Sequence, residues 1–195
     1  MANTDGETFP DRGYHVLSVD DAHYIGSDRL PAQQWTLQHI EATRRIDRIT
    51  YRFDTDAVRI TDSQNVNPGE LYPCGPGIFG IDLHLDNPLP AGEQLEVGYM
   101  TSFAYQEPPD AVFRRRIAPR DLGKLQMSVA FQADQLPRRV FWAEWQGLAG
   151  PVQQGTQLEQ LLQPIDNDYG SSCEVFRDLT NIPIGKVLGF YWEWE

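Results

Sequence analysis

The sequence predicts an all-β protein, and three observations carry that prediction. Short segments in which apolar and polar residues alternate recur along the chain, Gly and Pro separate them at short intervals, and only Thr156–Gln163 is typical of a helix. We expect a single-domain, mainly antiparallel β-sandwich over residues 14–195, with a barrel as the second choice and at most one or two short helices. Residues 1–13 are polar, contain Gly and Pro, and are predicted to form a disordered leader.

The clearest strand prediction is Ile78–Asp86. The apolar residues of this segment fall on one face of the strand and are Phe79, Ile81, Leu83 and Leu85. Asp82, His84 and Asp86 fall on the opposite face. A turn rich in Pro and Gly follows at Asn87–Glu93, and the alternation then resumes, so the pattern predicts an antiparallel hairpin.

The remaining strand predictions rest on the same period of two. The stretch Trp35–Phe53 contains neither Gly nor Pro but is rich in β-branched residues, so we interpret it as two strands with a turn or bulge near Arg45–Asp47. The other predicted strands are Tyr14–Val19, Leu95–Tyr99, Leu125–Phe131, Val140–Trp145 and a terminal strand whose apolar face carries Leu188, Phe190, Trp192 and Trp194.

The composition limits the classes of partner. The 195 residues carry a formal net charge of −12, which disfavours direct binding to nucleic acid or to an anionic membrane. No apolar run approaches the roughly 20 residues of a membrane-spanning helix, and the N-terminus lacks the pattern of a signal peptide. We therefore expect a soluble, cytoplasmic protein. Basic charge comes almost wholly from Arg, since Lys124 and Lys186 are the only lysines, and this usage is typical of a GC-rich genome.

No recognisable catalytic motif accompanies the polar residues, and we assign no catalytic residue. Asp82, His84 and Asp86 share a strand face from which they could ligate a metal ion, but the same pattern is typical of a solvated face. We predict no metal and no cofactor. Cys74 and Cys173 do not make a disulfide framework, so we expect reduced thiols, with one bridge as the alternative.

Two further groups of charged residues admit a functional and a plain interpretation. Asp20, Asp21 and His23 are neighbours near a strand end and could form an acid–base pair, but surface polarity is the plainer interpretation. Arg114, Arg115 and Arg116 form the densest basic cluster and could clamp a phosphate or carboxylate. Because successive residues of a strand point to opposite faces, ion pairing with the acidic surface is the interpretation we prefer.

The aromatic residues near the C-terminus are the most credible functional feature. The set consists of Phe141, Trp142, Trp145, Tyr191, Trp192 and Trp194. Core packing explains such a set most simply, while a ligand cavity or an interface patch is the functional alternative.

The order of several short phrases resembles the C-terminal β-rich domain of actinobacterial regulators of the Cro/C1-type helix-turn-helix group. The matching pieces are Ile46–Arg48 with Tyr51, Leu83, Asn87–Leu89, Gly92–Glu93, Met127–Phe131, Leu136–Pro137 and Gly189–Trp194. This resemblance covers about residues 27–195 and implies the fold together with a sensing or docking role. It does not imply DNA binding, because we find no helix-turn-helix segment ahead of the predicted sandwich.

We therefore predict a non-catalytic module that binds a partner protein or a hydrophobic small molecule. The ligand-binding residues that we predict are Trp142, Trp145, Tyr191, Trp192, Trp194, Tyr99, His84 and Arg116. The alternative is a small enzyme of specialised metabolism, a cyclase or isomerase, that shapes an aromatic cavity around its substrate. A third hypothesis is homodimerisation through the edge of the terminal strand.

Overall fold

All regular structure that the computed structural model describes is β-strand, which confirms the predicted fold class. The described residues are 12–53, 55–105, 111–116, 122–145, 152–158, 163–167, 170–180, 182 and 185–194. They form β1 (Tyr14–Ile25), β2 (Pro31–Ala42), β3 (Ile46–Phe53), β4 (Val58–Gln64), β5 (Val66–Gly75), β6 (Ile78–Leu89), β7 (Gln94–Phe103), β8 (Val112–Arg116), β9 (Lys124–Gln132), β10 (Arg139–Trp145), β11 (Val152–Gln157), β12 (Gln163–Asn167), β13 (Gly170–Leu179) and β14 (Val187–Glu193). None of these residues belongs to a helix that could cross a membrane.

The described strands form three open sheets. A seven-stranded sheet has the order β12-β13-β9-β1-β2-β7-β4, a four-stranded sheet the order β11-β10-β14-β8, and a three-stranded sheet the order β3-β6-β5. The pair β1–β9 is parallel, whereas the other pairs are antiparallel. The arrangement is therefore layered and sandwich-like.

Both smaller sheets cover the same face of the seven-stranded sheet, which we call the inner face. In the register, Asp21 on β1 lies opposite Thr36 on β2, and Thr36 lies opposite Tyr99 on β7, so all three point to one side. The four-stranded sheet packs against β1, β9 and β13 in one apolar cluster, and the three-stranded sheet packs against β2 and β7 in a second. The inner face is thus the interior of the molecule.

Strand β9 shows why the alternating pattern produces this core. Its inward residues are Leu125, Met127, Val129 and Phe131, and all four are fully buried. Each such side chain stabilises the fold by roughly 1.5–3 kcal/mol relative to an exposed position. The apolar face predicted for this strand is confirmed, as is the buried face of β14 formed by Leu188, Phe190 and Trp192.

The predicted hairpin after Ile78–Asp86 is wrong. Strand β6 lies in the three-stranded sheet and β7 lies in the seven-stranded sheet, so the two strands do not pair. The turn between them connects the two layers, and it is held to the end of β2 because Gly92 donates to the Ala42 carbonyl and Ala42 donates to that of Glu93. Alternation identifies the face that a strand buries, but it does not identify the strand that pairs with it.

The prediction of a helix at Thr156–Gln163 is also wrong, because both ends of this segment lie in strands. Thr156 and Gln157 end β11, where they pair with β10, and Gln163 begins β12. Pairing with β10 supplies the backbone hydrogen bonds that a helix would otherwise provide. Residues 159–162 lie outside the described part of the chain, as do residues 1–11 of the predicted leader.

Candidate functional site

A group of polar side chains lies buried on the inner face, between the two apolar clusters. This polar junction consists of Asp21, Gln34, Thr36, Gln38, Tyr99 and Arg115. Thr36 Oγ1 donates to Asp21 Oδ1 at 2.7 Å, and Gln34 Nε2 donates to Thr36 Oγ1 at 3.2 Å. Gln38 Nε2 donates to the Tyr99 hydroxyl at 3.1 Å. These polar side chains can be buried at a low cost in free energy because they form hydrogen bonds with one another.

Arg115 connects the four-stranded sheet to this junction. From β8 its guanidinium Nη1 forms a hydrogen-bonded ion pair with Asp21 Oδ2, whose side chain is buried. Burial is the largest single influence and lowers the pKa of Arg115, but Asp21, Tyr51 and Tyr99 together outweigh it and raise that pKa overall. The anion held by this member of the Arg cluster is therefore a carboxylate of the chain itself. Arg116 pairs with Val187 through its backbone.

His23 is buried beside the polar junction, so its interpretation as a surface residue is wrong. Its ring stacks on Phe113 with centroids 4.5 Å apart and contacts the edge of Phe103 at 5.8 Å. Neither ring nitrogen has a hydrogen-bond partner. Burial lowers the pKa of the imidazole from 6.5 to about 3, so His23 is neutral at physiological pH.

Asp21 is likewise buried, and its oxygens accept from Thr36 and Arg115, not from His23. The acid–base pair, which was the functional alternative, does not form between Asp21 and His23. Both residues follow Val19 at every second position on β1, so the alternation that placed Val19 inside already contained the signal for their burial. The polar junction accordingly joins the sheets and offers no open catalytic group.

A cleft lies at one end of the seven-stranded sheet. Its volume is about 420 Å³, and it is bounded by the β1–β2 turn and by the ends of β7 and β9. Tyr24, Phe103, Tyr105 and Phe131 supply aromatic walls, and Asp28 is the one charged residue of its lining. Phe103 and Tyr105 stack with centroids 5.5 Å apart.

Local hydrogen bonds fix the turn that closes this cleft. Gly26 donates to the Leu30 carbonyl at 2.8 Å, and Leu30 donates to Asp28 Oδ1 at 3.0 Å. Arg29 adopts a positive φ of 65° and places its guanidinium 5.1 Å from the Trp194 ring, which ties the turn to the C-terminal region. The cleft is therefore built on rigid strand ends and a tied turn.

The structure does not bring the predicted ligand-binding residues together. Trp142, Trp192 and Trp194 pack on the inner side of the four-stranded sheet, whereas Trp145 and Tyr191 lie in a small cluster on its other side. Trp145 and Trp192 are buried, and Trp142 packs edge-on against Phe190 at 5.0 Å. The predicted aromatic surface is thus divided by the sheet that carries it.

The remaining predicted residues are equally dispersed. Tyr99 is fully buried in the polar junction, and His84 is exposed on the three-stranded sheet. Near His84, Asp82 accepts from Thr50 at 2.6 Å and from Tyr72 at 2.9 Å. No group of three His, Cys, Asp or Glu residues in the described ranges is arranged to hold a metal ion. The ligand-binding roles predicted for these residues stay predictions.

Sequence reasoning missed the cleft. Its walls come from segments far apart in the chain, and no local motif marks Tyr24 or Phe103. Trp194 is the one predicted residue close to it, because its ring contacts Phe131, a lining residue, at 5.9 Å. Cys74 is exposed and Cys173 is buried, and both are unpaired thiols.

Comparison with known proteins identifies a likeness of fold. No family model and no curated protein matches the sequence. Among solved structures, the chain is similar to an M1 zinc metallopeptidase from Deinococcus radiodurans, with 13% identity and a TM-score of 0.52 over 93% of this chain. It is also similar to a two-domain M1 zinc metallopeptidase mutant bound to L-arginine, with 13% identity, a TM-score of 0.53 and the same 93%. A proposed protease from Parabacteroides distasonis matches with 10% identity and a TM-score of 0.51 over 91%.

The chain spans less than half the length of these structures, namely 43% of each metallopeptidase and 40% of the proposed protease. At such identities the likeness concerns the fold alone. Three sheets arranged as in this chain therefore occur as one part of larger proteins.

Proposed function

We propose that this chain is a non-catalytic binding module and that the cleft at the end of the seven-stranded sheet receives its ligand. This proposal rests on the cleft itself, whose volume of about 420 Å³ falls within the range of small-molecule sites. Most of its lining comes from the ends of β1, β2, β7 and β9, and rigid elements position binding groups better than loops do.

The lining selects the class of ligand. Tyr24, Phe103, Tyr105 and Phe131 favour a flat, largely apolar molecule, because aromatic walls offer stacking surface. The charged residue of the lining is a carboxylate, Asp28, and the chain as a whole carries −12. We therefore propose a neutral or cationic hydrophobic small molecule and not an anion.

The proposal that the module is non-catalytic rests on the polar groups that line the cleft. Asp28 already accepts from the Leu30 amide, and the cleft lining contains no second carboxylate and no His or Cys. The cyclase or isomerase alternative gains no support from that lining, since general acid–base chemistry needs positioned groups with matched pKa values.

The similar structures do not transfer their activity. Zinc metallopeptidases of the zincin type use a His-Glu-x-x-His helix, and none of the four histidines of this chain is followed by Glu. A β-rich part of a larger enzyme and a separate binding module can share a fold without sharing chemistry. The proposed binding role therefore rests on the cleft and not on the likeness of fold.

The experiment is a fragment titration followed by protein NMR. Neutral and cationic aromatic fragments should shift the signals of cleft residues, and a matched anionic set should not. Ala104→Trp places an indole in the cleft and should abolish the shifts, because Ala104 is an exposed lining residue. Ala91→Trp, at the opposite end of β7, is the control and should leave them unchanged. Fragment shifts that survive Ala104→Trp would contradict the assignment of this site.

A further inference from the structure

The charge at the border of the cleft is negative. Asp28 is part of the lining, whereas the lining that the described residues provide contains no Lys, Arg or His. A ligand of this cleft can be neutral or cationic, and the surroundings of Asp28 distinguish between these two classes.

Asp28 keeps acceptor capacity for a ligand. Its Oδ1 accepts from the Leu30 amide at 3.0 Å, which holds the carboxylate in the β1–β2 turn. A carboxylate has about four lone-pair sites, so this single bond leaves most of them available. Within the described part of the chain Asp28 forms no ion pair, and the residue is exposed at the turn.

The cation nearest to Asp28 in sequence is held by a different group. Arg29 follows Asp28 directly, but its Cζ lies 5.1 Å from the centroid of the Trp194 ring. The guanidinium therefore contributes a cation–π contact to the turn and does not pair with the neighbouring carboxylate. The negative charge of Asp28 remains available to a cation that enters the cleft.

The aromatic walls favour the same sign of charge. The π face of an aromatic ring attracts a cation that lies within about 6 Å of the ring centroid. Phe103 and Tyr105 stack with an angle of 11° between their planes, and Tyr24 and Phe131 complete the walls. Trp194, which already holds a guanidinium, packs edge-on against Phe131 at 5.9 Å. Aromatic rings at this end of the molecule thus already bind one cation.

A neutral ligand would use only part of this site. Any molecule that fills the cleft up to Asp28 displaces water from the carboxylate, which costs free energy unless a donor replaces that water. A cationic donor compensates for this loss and also gains from the π faces, whereas a neutral molecule gains only from apolar contact. An anion is repelled both by Asp28 and by the net charge of −12.

We propose that the ligand of the cleft is a hydrophobic organic cation, an aromatic body that carries a protonated amine. Its body lies between the aromatic walls and its ammonium group lies beside Asp28. This inference rests on the proposed function, because it names the class of ligand that the same cleft receives.

The test titrates three probes of nearly the same size into the full chain at about pH 7, followed by protein NMR. The probes are benzylammonium, benzyl alcohol and benzoate. We expect benzylammonium to bind about tenfold more tightly than benzyl alcohol and benzoate not to bind, since only the cation gains from both the carboxylate and the rings.

Asp28→Asn removes the charge, while its amide oxygen can still accept from the Leu30 amide. It should weaken benzylammonium by about threefold, as expected for an exposed pair, and leave benzyl alcohol unchanged. Phe103→Leu keeps an apolar wall without a π face and should also reduce the preference for the cation. If both variants keep the full preference, the inference is wrong.

The matched control is Asp47→Asn, which removes the same charge at an exposed position of β3. It should leave the binding of all three probes unchanged. Equal weakening of benzylammonium by Asp47→Asn and Asp28→Asn would mean unspecific attraction to an acidic chain and would overturn the inference. Circular dichroism and the urea midpoint establish that each variant is folded.

Ala104→Trp separates a failure of this inference from a failure of the proposed function. If benzyl alcohol binds as tightly as benzylammonium and Ala104→Trp abolishes both, the cleft is the site but its ligand is not selected by charge. If none of the three probes shifts the signals of cleft residues, the proposed function fails together with this inference. Binding of benzylammonium that survives Ala104→Trp would place the cation elsewhere and overturn the inference.

Discussion

The two faces of the seven-stranded sheet are built from alternate residues of the same strands and yet differ in almost every respect. On the inner face, buried polar residues such as Asp21 and Thr36 hydrogen-bond to one another between two apolar clusters. On the opposite face, which is the outer face, Phe176 is half exposed, and the carboxylates of Asp20 and Asp178 repel each other. No described strand covers that face.

This contrast separates groups that hold the fold together from groups that remain available. The ionisable residues with the most chemical promise in the sequence, Asp21, His23 and Arg115, lie inside and face other residues of the chain. The unsatisfied surface consists of less distinctive residues, an exposed Phe and scattered carboxylates. The proposed binding role fits the second group, because a partner can reach only exposed groups.

The inner face should be most sensitive at the Asp21–Arg115 pair. Arg115→Met keeps most of the side-chain volume but leaves the buried Asp21 carboxylate without its cation. We expect the free energy of unfolding to fall by about 3–5 kcal/mol, the usual effect of breaking a buried pair from one side. Urea unfolding followed by tryptophan fluorescence measures this loss.

The double variant D21N/R115M is the control for that measurement. It removes both charges while an amide oxygen still accepts from Thr36, so most of the lost stability should return. If Arg115→Met costs less than about 1 kcal/mol, the pair behaves like a solvated surface pair, and the contrast between the two faces is weaker than the structure indicates.

The sequence predicted the residues of the core better than their arrangement. Period-two alternation found the buried faces of β9 and β14, because burial of one strand face is a local property. It could not find that β6 and β7 lie in different sheets or that β1 pairs in parallel with β9, because those pairings depend on distant segments.

The candidate sites were harder to predict for the same reason. The cleft joins Tyr24, Phe103 and Phe131 from three separate strands, and these strands come together only once the sheet order is known. The terminal aromatic residues were conspicuous in sequence, yet the four-stranded sheet divides them between its two sides. Residue type alone did not distinguish packing from binding.

Lowering the pH should destabilise the folded protein through His23, which lies on the inner face. Burial lowers the folded-state pKa of this imidazole from 6.5 to about 3, so between these values the unfolded chain binds the extra proton and the folded chain does not. Stability is therefore highest above pH 6.5 and falls as the pH decreases through that window. At about pH 5 the expected loss is about 2 kcal/mol.

The measurement is the urea midpoint between about pH 7.5 and pH 5, a range that stays above the ordinary carboxyl pKa values. His23→Phe keeps the stacking on Phe113 and removes the titrating group, so its stability should change much less over this range. A variant that loses stability with acid as steeply as the parent chain would show that another group controls the dependence.

The smallest expected effect comes from a comparison of substitutions at two neighbouring residues of β13, whose side chains point to opposite faces of the sheet. Val175 is 1% exposed on the inner face, and Phe176 is 50% exposed on the outer face. Val175→Ala should lower the free energy of unfolding by about 2 kcal/mol, because it leaves a cavity in the core. Phe176→Ala removes more atoms but should change that free energy by only about 0.5 kcal/mol or less, as surface substitutions usually do.

This pair also decides what Phe176 is for. A large, half-exposed aromatic side chain that contributes little to stability is not needed for the packing of the core. If Phe176→Ala instead costs as much as Val175→Ala, then Phe176 is packed against part of the molecule. The outer face would then belong to the core, and the difference between the two faces would not exist.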